Sequence, residues 1–252
     1  MADALVTVIA PALFALLCWW FGTGAILWLV RRPPATFIWT MAALTVLLAL
    51  SFWTTRLSIQ DPSEQGAYLA FASVIVMWSW HEMAFLTGWL TGPRRRALDA
   101  GLRGWPRFVQ STQAVLWHEL ALAAHMAVLW WMQPAQGSHV ALCTFALLWF
   151  MRFSAKLNLF LGVPETGEQY LPARLRYLAS YFRRGSLSSF YYISVAVSVC
   201  VWAALVWQAQ HGQTVVSTGW VLLATLLGLA IVEHLIMAFP SPMQKLWSWA
   251  MP

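Results

Sequence analysis

An all-α, polytopic membrane protein of about seven transmembrane helices is the fold class this sequence predicts, and three observations carry it. Of 252 residues, 60% are hydrophobic and only 10% charged, against about 25% charged in an ordinary soluble domain. Apolar runs of roughly 20 residues, the length that crosses about 30 Å of hydrocarbon at 1.5 Å per residue, recur about seven times. Arg and Lys collect in alternate connections. The mean hydropathy of +0.64 also excludes disorder, because so apolar a chain cannot stay solvated. Three cysteines in 252 residues exclude a disulfide scaffold, and Cys18, Cys143 and Cys200 all lie in apolar runs as small hydrophobes. A net charge of +6 could suggest nucleic acid, but no zinc-finger or RNA-binding signature accompanies it, and no nucleic-acid partner is expected.

The spans fall near residues 5–30, 35–54, 66–90, 111–132, 139–160, 187–208 and 217–239, within one bundle domain covering 1–252. The first run has no basic n-region and no A-x-A type cleavage site, so it reads as a retained helix. Pro33-Pro34, Pro93, Pro106, Pro134, Pro164 and Pro240 stand at or near span ends, where a residue without an N–H interrupts a helix least. The segments after spans one, three and five hold Arg31, Arg32, Arg94, Arg95, Arg96, Arg103, Arg107, Arg174, Arg176, Arg183 and Arg184, and Lys245 follows the last span. The loops after spans two, four and six hold only Arg56. The positive-inside rule then puts the N-terminus in the periplasm and the C-terminus in the cytoplasm, which requires an odd number of spans.

The longest connection contains a segment near 169–186 in which Leu171, Leu175, Leu178 and Phe182 share one helical face, while Arg176, Arg183 and Arg184 lie off it. Pro172 suits a first helical turn. A basic amphipathic helix on the cytoplasmic membrane surface is one reading, and a helix packed against the other loops is the other. The eighteen tryptophans mostly need no ligand, since Trp19, Trp20, Trp130, Trp131, Trp247 and Trp249 lie near predicted span ends. Trp78, Trp80 and Trp117 lie deeper and could pack beside a site.

Three His-Glu pairs lie inside the spans: His81-Glu82 in the third, His118-Glu119 in the fourth and, in reverse order, Glu233-His234 in the seventh. A charge at mid-bilayer costs on the order of 2.5–3.5 kcal/mol even on lenient insertion scales, so these residues require partners. Their histidines sit about ten, seven and six residues from the cytoplasmic ends, roughly 15, 11 and 9 Å deep, and the six residues are expected to converge on one buried site. His125, two turns beyond His118, could extend it as a cofactor-binding residue. Imidazole and carboxylate together suit a divalent metal, above all iron in a mononuclear or di-nuclear site. The Glu-x-x-His spacing of di-iron proteins and the HExxH motif are both missing. Adjacent residues differ by about 100° around a helix, so one of each pair could be a ligand while the other orients it. Histidines alone could instead ligate a tetrapyrrole, either bacteriochlorophyll or haem. In a third reading Glu82, Glu119 and Glu233 form a structural ion-pair network with Arg152 and Lys156 of the fifth span.

The stretches WHEMAFLTGWLTGPRR (80–95), WHELAL (117–122) and KLNLFLGVPETGEQYLPARLRYLASYFRR (156–184) resemble the PuhE-type photosynthetic complex assembly proteins of purple phototrophic bacteria, from about the third span to the seventh. That resemblance implies a multi-pass protein of the bacterial cytoplasmic (inner or intracytoplasmic) membrane. It also implies support for forming the reaction centre and its light-harvesting antenna through bacteriochlorophyll supply. Expected partners are the lipid bilayer and either reaction-centre and light-harvesting subunits or bacteriochlorophyll-synthesis enzymes. The family brings no assigned catalytic residues, so the His-Glu layer stands on this sequence alone. The competing class is a membrane-embedded metal oxidase or hydroxylase acting on a bacteriochlorophyll precursor or another lipophilic substrate.

The loop charges generate a topology prediction. A reporter fused after Pro252 should be cytoplasmic and one inserted in the 209–216 loop periplasmic. Finding both on one side would break the seven-span arrangement.

Overall fold

A computed structural model describes residues 5–134, 136–212, 214–239 and Trp249. It contains seven helices long and apolar enough to cross a membrane, and no strand among the described residues. They are α1 (Ala10–Val30, preceded by a π-helical turn, Leu5–Ile9), α2 (Phe37–Gln60), α3 (Glu64–Leu86), α4 (Gly104–Trp131), α5 (Val140–Leu161), α6 (Ser189–His211) and α7 (Thr214–Ala238).

The helix ends follow local chemistry. Pro11 lies in the first α-helical turn of α1, directly after the π-helical turn Leu5–Ile9. α2 runs to Gln60, beyond the expected 54, and Thr54 and Ser58 hydrogen-bond within the bundle. Ser58 Oγ donates to Thr55 O at 2.8 Å, and the Thr54 and Ser73 hydroxyls meet at 2.6 Å between α2 and α3. Ser63 caps α3 by accepting from the Gly66 N–H at 3.2 Å, and the Ser63 N–H donates to Asp61 at 2.9 Å. Ser188 caps α6 in the same way, accepting from the Tyr191 N–H.

α3 is the hub. In its most apolar window 56% of residues are buried, against 11% to 39% in the other six helices. On one side Ala70, Val74 and Met77 pack with Leu122 and Leu129 of α4 and Ala141 and Phe145 of α5. On the other, Ala67 and Phe71 pack with Ala15 of α1 and with Leu222 and Leu226 of α7. The outer faces of the remaining helices keep large apolar side chains exposed, as lipid contact requires.

The arginine-rich end differs from a set of simple loops. α3 stops at Leu86, short of the expected 90, where Gly88 takes a φ of +77°. The chain then runs back along α4. Thr91 O accepts from the His118 N–H at 2.9 Å, and Gln113 O accepts from the Arg94 N–H at 3.3 Å. Non-helical backbone at membrane depth is tolerated only inside protein, and Thr91 is 1% exposed. A Cβ at Gly92 would lie 1.9 Å from Gln113 O, so only glycine allows this approach. Beyond it, hydrogen bonds from Gln110 and Arg94 hold the Asp99 carboxyl below its ordinary range.

The segment expected as an amphipathic α-helix is a pair of 3₁₀ helices, Glu168–Tyr170 and Ala173–Tyr181. At three residues per turn, Leu175, Leu178 and Tyr181 align, and they bury against Phe85 of α3 and Ala114 of α4. The segment therefore packs inward against the bundle, the second of the two readings, and leaves Arg176, Arg183 and Arg184 exposed. Arg107 of α4 ties it down, donating to Phe160 O at 2.9 Å and Tyr181 O at 2.8 Å.

Gly92→Ala should lower the melting midpoint of the detergent-solubilised protein by an amount matching the top of the about 1–3 kcal/mol overpacking range. Gly185→Ala, where an added Cβ meets nothing within 4 Å, should change it by less than about 0.5 kcal/mol. Equal effects would contradict the close approach.

Candidate functional site

At the arginine-rich end the bundle encloses a cavity of about 720 Å³, within the range of pockets that hold drug-sized or cofactor-sized ligands. Its walls come from α1, α3, α4, α5 and α7, and its floor from Thr166, Tyr170, Leu178 and Tyr181 of the inward-packed segment; α2 and α6 take no part. The lining is mostly apolar, and five acidic or basic side chains break it: Glu82, Glu119, Glu233, Arg152 and Lys156.

Each His-Glu pair divides between two surroundings. The carboxylates of Glu82, Glu119 and Glu233 all line the cavity, and none of the three neighbouring histidines does. A step of about 100° per residue makes this division unavoidable once one member points inward. Trp149, Arg152 and Lys156 share a face of α5 through i, i+3 and i, i+4 spacing, so α5 meets the acids of two other helices. Arg152 forms an ion pair with Glu82, and Lys156 forms one with Glu119. Trp149 Nε1 also donates to Glu119 Oε2 at 3.1 Å. Among the described residues Glu233 has no salt bridge; the Trp19 indole N–H donates to it at 2.9 Å. Among the described residues the cluster thus sets three carboxyl groups against two cations, and the buried Glu82 Oε1 has no hydrogen-bond partner.

The histidines form two separate arrangements behind the cavity wall. His81 Nε2 and His125 Nδ1 lie 2.8 Å apart, and His125 Nε2 lies 3.3 Å from Met77 Sδ. A thioether can only accept, so His125 carries its proton on Nε2, His81 donates from Nε2, and His81 Nδ1 is left as a buried lone pair with no partner. The His125 ring is stacked between Phe52 and Phe145, with centroids 4.8 and 4.7 Å away. His118 packs beside Phe85 at 4.6 Å and turns its edge to His81 at 6.4 Å. His234 is elsewhere: its Nδ1–H donates to Ala230 O at 2.9 Å, and its Nε2 lies 3.0 Å from Ser154 Oγ.

The six residues expected to converge on a single site therefore do not. His81, His118 and His125 pack in the α3–α4–α5 core, His234 joins α7 to α5, and the carboxylates face the cavity. Among the described residues no three His, Cys, Asp or Glu side chains group to hold a metal ion. Glu82 and Glu119 are committed to basic partners, so this donor set does not fit an iron or other divalent-metal centre. His125, expected to extend the site as a cofactor-binding residue, has both ring nitrogens engaged and both faces covered.

Trp19, Trp149 and the 166–182 floor were not expected as site elements. Trp19 lies close enough to a predicted interface for the aromatic belt to explain it, and the floor is set by a 3₁₀ register the sequence does not reveal. Trp149 follows the i, i+3 spacing that leads to Arg152, and this signal could have found it.

Lys156→Met leaves the Glu119 carboxylate in the membrane without its cation and should cost about 3–5 kcal/mol, whereas Lys156→Met combined with Glu119→Leu should recover most of that. Melting midpoints of the single and double variants check it. Additive losses would show that the pair carries no coupling.

A family model described as protein of unknown function (DUF3623) matches residues 5–252. The chain is 39% identical over 249 residues to a protein of Rhodobacter capsulatus described as an uncharacterized 30.4 kDa protein in the puhA 5′ region, covering 96% of this chain and 90% of that one. No solved structure matches. Through a match that spans nearly its whole length, the chain belongs to the DUF3623 family.

Proposed function

We propose that this protein supports assembly of a bacterial photosynthetic complex by holding a bacteriochlorophyll-type tetrapyrrole, or its immediate precursor, in the intramembrane cavity. The observation that carries the reading is the cavity itself, a largely apolar chamber of about 720 Å³ with a charged cluster set into its wall at membrane depth. The place of the Rhodobacter capsulatus relative in the puhA 5′ region supports the photosynthetic part, as does the PuhE-type resemblance of the 80–95 and 156–184 stretches.

Tetrapyrroles of this class are flat and apolar, with keto and carboxyl oxygens at the rim. Trp78, Phe85 and Phe108 offer surfaces for the ring. Arg152 places a single hydrogen bond on Glu82, and its other N–H groups remain for a rim oxygen. Lys156, held over the Phe85 ring at 5.5 Å, adds a second donor in the same layer. No histidine lines the cavity, so recognition on this reading comes from the rim of the ring and not from axial ligation. The cytoplasmic side is assigned to the arginine-rich end, where exposed Arg176, Arg183 and Arg184 suit anionic headgroups or a partner subunit.

Titrating purified protein with the chain-free acid bacteriochlorophyllide a tests this directly. Saturable binding with a shifted absorption band is expected. Arg152→Gln should weaken it tenfold or more, the loss that follows from removing about 1.5–3 kcal/mol of charged hydrogen bonding. Unsaturable partitioning identical in wild type and variant would overturn the reading.

A further inference from the structure

The cavity has a neighbour. Between α1 and α7 lies a second recess of about 400 Å³, lined by Leu16, Leu17 and Trp20 of α1 and Leu229 and Val232 of α7. Two further residues line both spaces, Trp19 and Glu233, the pair joined by the 2.9 Å hydrogen bond. The two spaces differ in their polar groups: the first holds five acidic or basic side chains, whereas the second, apart from the two shared side chains, is lined by four aliphatic residues and the Trp20 ring. Leu17 and Val232 are 48% and 50% exposed on the outer faces of their spans, so the recess opens toward the acyl chains of the bilayer.

Resting on the ring-holding reading, we infer that the recess between α1 and α7 takes the long isoprenoid chain of the ligand, so that the ring sits among the charged residues while its ester-linked tail leaves sideways into the lipid past Trp19 and Glu233. A polar-rimmed ring with one long hydrocarbon chain matches this sequence of spaces: a large chamber with hydrogen-bond donors, a junction with a carboxyl group and an indole, then an apolar channel. Lipid chains are as apolar as Leu and Val, so moving the tail from bilayer to recess gains almost nothing in transfer free energy. The contribution of the recess is geometric. Without it, a ring seated in the cavity would force its own chain either into the charged layer or against the packed α1–α7 contact. The recess therefore decides whether a tailed ligand can bind, and should leave the binding of a tail-less one unchanged. Trp19 and Glu233 act as positioning residues where ring and tail meet.

The experiment compares bacteriochlorophyll a, which carries the chain, with bacteriochlorophyllide a, which lacks it, in detergent-solubilised full-length protein. Val232→Trp and, separately, Leu229→Trp fill the recess. Each should weaken binding of the tailed probe about tenfold or more, the size of an overpacking penalty, and leave the chain-free probe within about twofold of wild type. Retained chain-free binding also shows that each variant is folded. Equal loss of both probes, or undiminished binding of the tailed one, removes the tail recess and leaves the ring-holding reading in place. Wild-type protein that binds neither probe removes both.

Discussion

The arrangement of the bundle depends on one constraint, that charge placed inside a membrane must be met by charge within protein. α5 supplies both cations, Arg152 and Lys156, one turn apart. Those two residues require α3 and α4 to present Glu82 and Glu119 at the same level, and so set the rotation of three helices relative to one another. Lipid offers no hydrophobic force between helices, so such polar contacts and close packing specify where each helix faces. The histidines follow from this, because a neighbour of an inward-pointing glutamate must point about 100° away, into the packing.

A cavity forms because the charged layer cannot be filled by hydrocarbon. Above it, Phe71, Val74 and Met77 of α3 close the bundle with fully buried contacts. Below it, the backbone of 87–94 fits beside α4 at Gly92, and the 3₁₀ segment held by Arg107 turns Leu178 and Tyr181 into the opening. The result is a largely apolar chamber at the arginine-rich end, which on the tail-recess proposal is entered from the side between α1 and α7. This geometry suits a molecule that arrives from the bilayer rather than from water.

Much of this was legible in the sequence, and what was missed has physical reasons. Span count follows from run length, and the importance of Glu82, Glu119 and Glu233 follows from the cost of acids in hydrocarbon. Arg152 and Lys156 were visible as their cations. Adjacency of His and Glu suggested a shared metal site, yet adjacency on a helix separates side chains, and only the packing decides which member faces the cavity. The 87–94 backbone contact was invisible because hydrogen bonds from Arg94 and His118 N–H groups carry no side-chain signature. The 169–186 stripe was misread by one residue: a period of 3.6 picks Phe182, whereas three residues per turn picks Tyr181.

The measurement that tests the central claim most directly is mass spectrometry, with an absorption spectrum, of what remains bound to the full-length protein purified from a phototrophic host in mild detergent. The cavity reading predicts a tetrapyrrole in an amount equimolar with the chain, reduced in the Arg152→Gln protein. Purified, folded protein carrying phospholipid in place of any pigment would contradict it.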